Sequence, residues 1–266
     1  APFWVSYPEM VRMVGGRPVI VPPPDGAFEP SPAALEAAIT ERTKAIILNS
    51  PNNPSGAVYS RELVAWLVEL CERRDLFLIM DDIYHQLVFD GCTAPSAYAF
   101  TDRPTDESRV LVINGVSKVY AMTGFRLGFA IVPSAALRPL QVMQQNLFIC
   151  ASSISQYAGL AALNRQHPEV AQMVAAYDQR RQYMIKGLRE LGFGVPVEPT
   201  GAFYVLADAR HVCHRSVDLA FDILDKAGTE ILARKDEPGT LLTREEGKTL
   251  PEGESEAARA GHIFKF

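Results

Sequence analysis

Residues 44–84 read KAIILNSPNNPSGAVYSRELVAWLVELCERRDLFLIMDDIY, and their order decides the fold. Lys44–Leu48 is a short, continuous apolar run of strand length, closed by a cluster of Asn, Ser, Pro and Gly. Ser60 is a helix N-cap, and Leu63, Val64, Leu67, Leu70 and Cys71 recur at helical spacing through about Arg74. Leu76–Met80 is a second continuous apolar run. Strand, helix and strand in this order form a right-handed crossover between parallel neighbours.

Outward from this unit the alternation continues. Val110–Ile113 and Leu127–Val132 are further strand candidates, and Pro18–Val21 is a short one upstream. Ser6 reads as the N-cap of a helix with Pro8 in its first turn, ended by Gly15-Gly16, and Ser31-Pro32 opens another short helix. The chain reads as entered midway through a fold, since Ala1-Pro2-Phe3-Trp4 carries no signal-peptide pattern. The expected class is α/β: a mostly parallel sheet with helices on both faces. A helical region follows from Ser134 to about Gly192, then a strand at Thr200–Leu206 and a helix at Ser216–Ala227, the makings of a smaller, partial α+β domain. Residues 229–266 hold eight acidic and six basic residues among 38. With weak periodicity and recurrent Pro and Gly, this tail is expected to be poorly packed or disordered.

Composition narrows the function. Over 266 residues, 48% are hydrophobic, enough for a real core. The charge of −5, with 26 scattered basic residues, argues against a nucleic-acid binder or a polybasic membrane anchor. No apolar run approaches the roughly 18 residues a membrane span needs. Cys71, Cys92, Cys150 and Cys213 are too sparse for a disulfide scaffold and wrongly spaced for zinc, so no metal and a reducing cytoplasm are expected.

Ligands of open parallel sheets sit beyond the carboxyl ends of the strands, so the polar residues there carry the functional reading. Asn49–Gly56 is by itself a turn, but Asn53 between prolines is also a rigid hydrogen-bonding post. Asp81, followed by Asp82 and Tyr84, is either a helix cap or a counter-ion for a bound cation. The run Asn114–Gly128 places Ser117-Lys118 after a buried strand and Arg126 eight residues beyond the lysine. A lysine there is a surface residue, or a desolvated nucleophile with Arg126 as a planar cation for phosphate.

Together these segments resemble the class I/II aminotransferases, fold-type I enzymes dependent on pyridoxal phosphate. Gly115–Gly128 is similar to that family's cofactor-attachment signature, NSPNNPSG to its NPxNPTG motif, and DDIY to its (D)xxY motif. The opening PFWVSYPEMVRMVGG resembles the stretch with a ring-stacking aromatic residue. The resemblance covers residues 1–228. It implies that Lys118 forms a Schiff base with pyridoxal 5'-phosphate and then shuttles a proton. It implies that Asp81 pairs with the pyridine nitrogen, that Asn53 and Tyr84 hydrogen-bond the ring oxygen, that Trp4 stacks on the ring, and that Ser117 and Arg126 contact the phosphate. Lys118, Asp81 and Tyr84 are thus the expected catalytic residues. The expected domains are an incomplete cofactor-binding large domain over 1–145, a long helix and partial small domain over 146–228, and the charged tail over 229–266.

The implied activity is transfer of an amino group between an amino acid and a 2-oxo acid, in a homodimer to which Asn146–Gln156 contributes at the partner's site. Carbon–sulfur β-elimination on the same cofactor, and a non-catalytic ligand-sensing domain, are the alternatives that the motifs leave open. Two departures stand out. Roughly a hundred N-terminal residues of the family pattern have no counterpart. No arginine matches the family's substrate-carboxylate ligand, with Arg234 and Arg244 as candidates by location only, and an out-of-frame gene end is one reading of that tail.

Overall fold

The computed structural model describes residues 2–246 and 249–264, with the side chains of 244–246 and 264 excepted. The chain divides into two compact units, Ala1–Ala207 and Asp208–Phe266. In the first, helix α1 (Ser6–Met13) and helix α2 (Pro32–Ala38) precede strand β1 (Ala45–Asn49), helix α3 (Arg61–Arg74), strand β2 (Phe77–Asp81), strand β3 (Val110–Gly115) and strand β4 (Gly128–Ile131). Helices α4 (Ser134–Leu147), α5 (Ser153–Leu163) and α6 (Pro168–Glu190) follow.

The four strands form one sheet in the order β1-β2-β3-β4. The first three run parallel, with Ala45 opposite Phe77 and Leu78 opposite Val110, while β4 returns antiparallel with Gly128 opposite Gly115. Asn49 therefore stands beside Asp81 at the carboxyl ends of β1 and β2. This register puts the polar residues that follow each apolar run along one rim of the sheet.

The core lies between α3 and one face of the sheet. Ser60 Oγ accepts the Leu63 amide at 3.1 Å, and the Ser60 amide and hydroxyl both donate to Glu29, so the helix start is held from two sides. Asp75 in the left-handed region (φ 57°) ends α3. Val64, Leu67 and Val68 meet Leu48, Leu78, Met80, Val110 and Val112 in a contiguous buried cluster. Leu67 is fully buried, and Leu67→Ala is expected to lower unfolding stability by about 3 kcal/mol. A urea midpoint equal to the wild type's would contradict this packing. Cover is thinner elsewhere: Ile113 is exposed on the opposite face, and Phe129 and Ile131 of the edge strand β4 are exposed on the face of Val112.

Several sequence expectations are corrected. The N-cap of α1 is Val5, without a side-chain cap, and Ser6 is already helical. Pro18–Val21 is not a strand, because no neighbouring strand pairs with it among the described residues. Thr200–Leu206 is not one either. Ala202 sits at φ 57°, which breaks the extended run, and only an isolated antiparallel bridge, Val88 with Gly201, remains. The region expected as a partial α+β domain thus holds helices joined by a stretch of turns, loop and isolated bridge residues over 191–215, with no strand among the described residues.

The second unit corrects the tail expectation. Helix α7 (Ser216–Ala233) extends the expected helix at Ser216–Ala227 into the tail, and helix α8 (Asp236–Glu246) and helix α9 (Leu250–Phe264) occupy residues expected to lack regular structure. The overlooked pattern is Thr249-Leu250-Pro251-Glu252: the Thr249 amide and hydroxyl both donate to Glu252 Oε2, at 3.0 and 2.8 Å, at the start of α9. Close packing comes from small residues, since a Cβ on Gly253 would lie 2.4 Å from the Gly239 carbonyl oxygen. Lys265 and Phe266, also in the expected tail, lie outside the described residues, as do Gly247 and Lys248.

Candidate active site

The site is built on the carboxyl rim of β1, β2 and β3. The Asn49 side chain is buried and donates to the Asp81 carbonyl at 2.9 Å, while its oxygen accepts the Asn53 amide at 2.7 Å. One buried asparagine thereby ties the turn after β1 to the end of β2. The Asn52 side chain accepts from both the amide and the hydroxyl of Ser55, which closes the turn and presents Asn53.

Asp81 ends β2. Its carboxylate accepts the Tyr7 hydroxyl and the Ile83 amide, the latter at 3.3 Å. Burial raises the Asp81 carboxyl above the ordinary carboxylate range, and those two hydrogen bonds oppose the rise. Tyr7 is pushed well above the usual phenol range, first by burial and then by the Asp81 charge, so it stays a hydroxyl donor. Trp4 meets Tyr7 edge-on, with ring centroids 5.4 Å apart. Because α1 begins two residues after Trp4, both aromatic rings of this segment lie near Asp81.

Tyr84 is buried in the turn after β2. Its hydroxyl lies 2.8 Å from that of Tyr204 and hydrogen-bonds the Asn53 side chain. Burial is the main cause that raises its phenol. Lys118 sits in the turn after β3, anchored by the buried neighbours Val116 and Val119. Its Nζ lies 6.0 Å from the Tyr84 ring centroid and 5.4 Å from that of Phe203. Phe203 in turn packs edge-on to Tyr84 at 5.3 Å.

The structure thus links Asn53, Asp81, Tyr84 and Lys118 through direct or shared contacts, with Trp4 reached through Tyr7. Ser117 and Arg126 share the segment of Lys118, but no described contact joins them to that group. Ser117 is half-buried, whereas Arg126 is exposed, in the left-handed region at φ 50°, and donates to the Thr123 carbonyl at 3.1 Å. Arg234 lies in the second unit with its guanidinium engaged by Glu230 and Glu237, and the side chain of Arg244 lies outside the described residues.

Sequence reasoning missed Tyr7, Phe203 and Tyr204. No local signal marks the first, because Trp4 precedes α1 and the bond of Tyr7 to Asp81 joins residues 74 apart. The other two form an aromatic pair in a segment read only as a strand.

A mostly parallel sheet that brings a lysine, an aspartate and a tyrosine to the ends of successive strands has the architecture of an α/β enzyme site. The chain belongs to the aminotransferase class I and II family, whose sequence profile matches residues 1–240. It is 37% identical to the probable aspartate/prephenate aminotransferase of Thermus aquaticus over 244 residues, covering 90% of this chain and 60% of that protein. To the aspartate aminotransferase of Bacillus subtilis strain 168 it is 37% identical over 211 residues, 79% of this chain and 53% of the relative. The solved aspartate aminotransferase from Thermus thermophilus with maleate superposes with a TM-score of 0.76 at 33% identity, covering 99% of this chain and 68% of that one. The chain therefore spans about 60% of the length of the first of these relatives.

The family's cofactor is pyridoxal phosphate, and the residues present fit it. Asp81 is a partly buried carboxylate with no Lys or Arg paired to it among the described residues, so a cationic ring nitrogen suits it. An amine, a phenol and an amide lie around the same rim. Among the described residues no group of three or more His, Cys, Asp or Glu could hold a metal ion, and no helix is long and apolar enough to cross a membrane.

Proposed function

We propose that this chain carries the cofactor-anchoring half of a pyridoxal-phosphate-dependent aminotransferase, which moves an amino group between an amino acid and a 2-oxo acid. The observation that carries the reading is the linked set of Asn53, Asp81, Tyr84 and Lys118 at the ends of three neighbouring strands. When bound, pyridoxal phosphate supplies an aldehyde for amine capture and a cationic ring that withdraws electrons from the substrate's α-carbon.

The chain's own residues divide the remaining work. Lys118 would provide the amine that attaches the cofactor, and would later take the proton from the substrate's α-carbon and deliver it to the cofactor's former aldehyde carbon. Asp81 holds the proton on the ring nitrogen, oriented by the Tyr7 hydroxyl and the Ile83 amide. Tyr84 and Asn53, already hydrogen-bonded to each other, offer a donor pair to the ring oxygen. Trp4, 38% exposed, has a free face for the ring. Ser117 and Arg126 receive the phosphate, which requires the exposed Arg126 side chain to leave the Thr123 carbonyl.

Aspartate is the first amino donor to test, because the relatives are named for it. A homodimer is part of the same reading. Its support is the exposed apolar run Leu147-Phe148-Ile149, within the segment expected to reach a partner, where Phe148 is 79% exposed. Four unpaired cysteines are consistent with a reducing cytoplasm. Borohydride reduction of the chain mixed with pyridoxal phosphate is expected to fix the cofactor on the peptide containing Lys118. Labelling spread over surface lysines, with none on Lys118, would overturn the assignment.

A further inference from the structure

We propose that Asp82 is a positioning residue that sets how strongly Asp81 holds a cationic ring nitrogen. The inference rests on the cofactor role given to Asp81 and goes beyond it, because Asp82 itself touches no cofactor.

The geometry is specific. Asp82 follows Asp81 directly at the end of β2, so the two side chains leave opposite faces of the strand. It is only 6% exposed, and its Oδ1 has no hydrogen-bond partner among the described residues. A buried carboxyl left in this state is costly and calls for an explanation. The backbone holds it firmly: its amide donates to the Ile113 carbonyl at 2.9 Å, and its carbonyl accepts the His85 amide at 3.0 Å.

Among the described residues no Lys or Arg pairs with the Asp82 carboxyl, and the neighbouring backbone is held by neutral groups. From β2 there is Asp81 itself. From the turn after β2 there is His85, whose Nδ1 lies 3.0 Å from the Asp82 carbonyl oxygen and whose imidazole burial keeps in the neutral form. β3 contributes the neutral Asn114 amide, 3.0 Å from the same imidazole nitrogen. β1 contributes the neutral Asn49 amide, bonded to the Asp81 carbonyl. Burial first, and the Asp81 charge second, push the Asp82 carboxyl up to about 7.

The consequence has a definite sign. Below that value Asp82 is a neutral acid, and Asp81 alone faces the ring nitrogen. Above it a second negative charge stands behind the first and deepens the potential that favours a cation. Loss of the Asp82 charge must therefore weaken binding at high pH and leave it unchanged at low pH.

Pyridoxamine phosphate is a suitable probe, because it occupies the ring site without capturing Lys118. Its dissociation constant is measured on the full 266-residue chain by fluorescence at about pH 6 and about pH 8.5, for wild type, Asp82→Asn and Asp82→Glu. At the lower pH Asp82→Asn should match wild type. At the higher pH it should bind about fivefold more weakly, and Asp82→Glu should recover most of that loss. An equal weakening at both pH values would mean a packing role and overturn the proposal, as would no change at either. If Asp82→Asn does not fold, the smaller neutral Asp82→Ser gives the same comparison. Failure of the wild type to bind the probe at either pH would overturn the cofactor role of Asp81, and this inference with it. That failure is read in the wild type alone and so is distinct from the others.

Discussion

Replacing Lys118 with alanine is expected to abolish covalent capture of pyridoxal phosphate, and to slow amine transfer by about 10⁴-fold wherever transfer is measurable. The size of the effect follows from the two tasks assigned to one amine. It would attach the cofactor, and it would move a proton between the substrate's α-carbon and the cofactor's former aldehyde carbon. No neighbour can stand in. The Lys118 Nζ stands by the rings of Tyr84 and Phe203, and the Tyr84 hydroxyl is itself hydrogen-bonded to that of Tyr204. The visible absorption band formed on mixing the chain with pyridoxal phosphate should be absent in Lys118→Ala, while circular dichroism stays that of the wild type, because the half-buried side chain contributes little to the core. Persistence of the band in the variant would remove Lys118 from the mechanism.

The second large effect is expected from Gly56→Ala. Gly56 closes the turn after β1 at φ 71°, where an L residue costs about 1–2 kcal/mol. An added Cβ would also fall 2.3 Å from the Pro199 Cβ and 2.9 Å from the Tyr204 carbonyl oxygen. The Gly56 carbonyl accepts the amides of Thr200 and Gly201, at 3.0 and 2.9 Å, so the same residue docks the segment that delivers Phe203 and Tyr204. Relief of the clash must move that segment away from Tyr84. Stability should fall by about 3 kcal/mol, read as a lower urea midpoint, with cofactor capture weakened in parallel. A variant with the wild-type midpoint and undiminished capture would show that this contact is not structural.

How far the sequence could be read depended on whether the deciding interactions were local. The apolar runs 44–48, 76–80 and 110–113 and the cap at Ser60 are local patterns, and each became the element it indicated, with strand ends shifted by one or two residues. Asn53, Asp81 and Lys118 could be singled out because each stands within five residues of the end of such a run, and register brings strand ends together. Tyr7 was not, because its bond to Asp81 spans 74 residues and depends on where α1 lies, which no periodicity encodes. Thr200–Leu206 has the composition of a strand, yet the close fit of Gly201 against Pro51 and the left-handed Ala202 hold it as a docked loop. The charged tail misled in the opposite sense. Its charge density hid a capping pattern at Thr249 and small residues spaced for helix contact. The buried Asp82 had no distinguishing feature in the sequence beside Asp81.

Among the described residues strand β4 is paired on one edge only, and all four of its residues are exposed, Phe129 and Ile131 among them. Such a ribbon offers unspent amide donors and carbonyl acceptors together with a greasy flank, the combination that templates intermolecular stacking. The colloidal behaviour of the isolated polypeptide is thereby set at this border: turbidity should rise with concentration, and a lysine introduced into β4 should delay it.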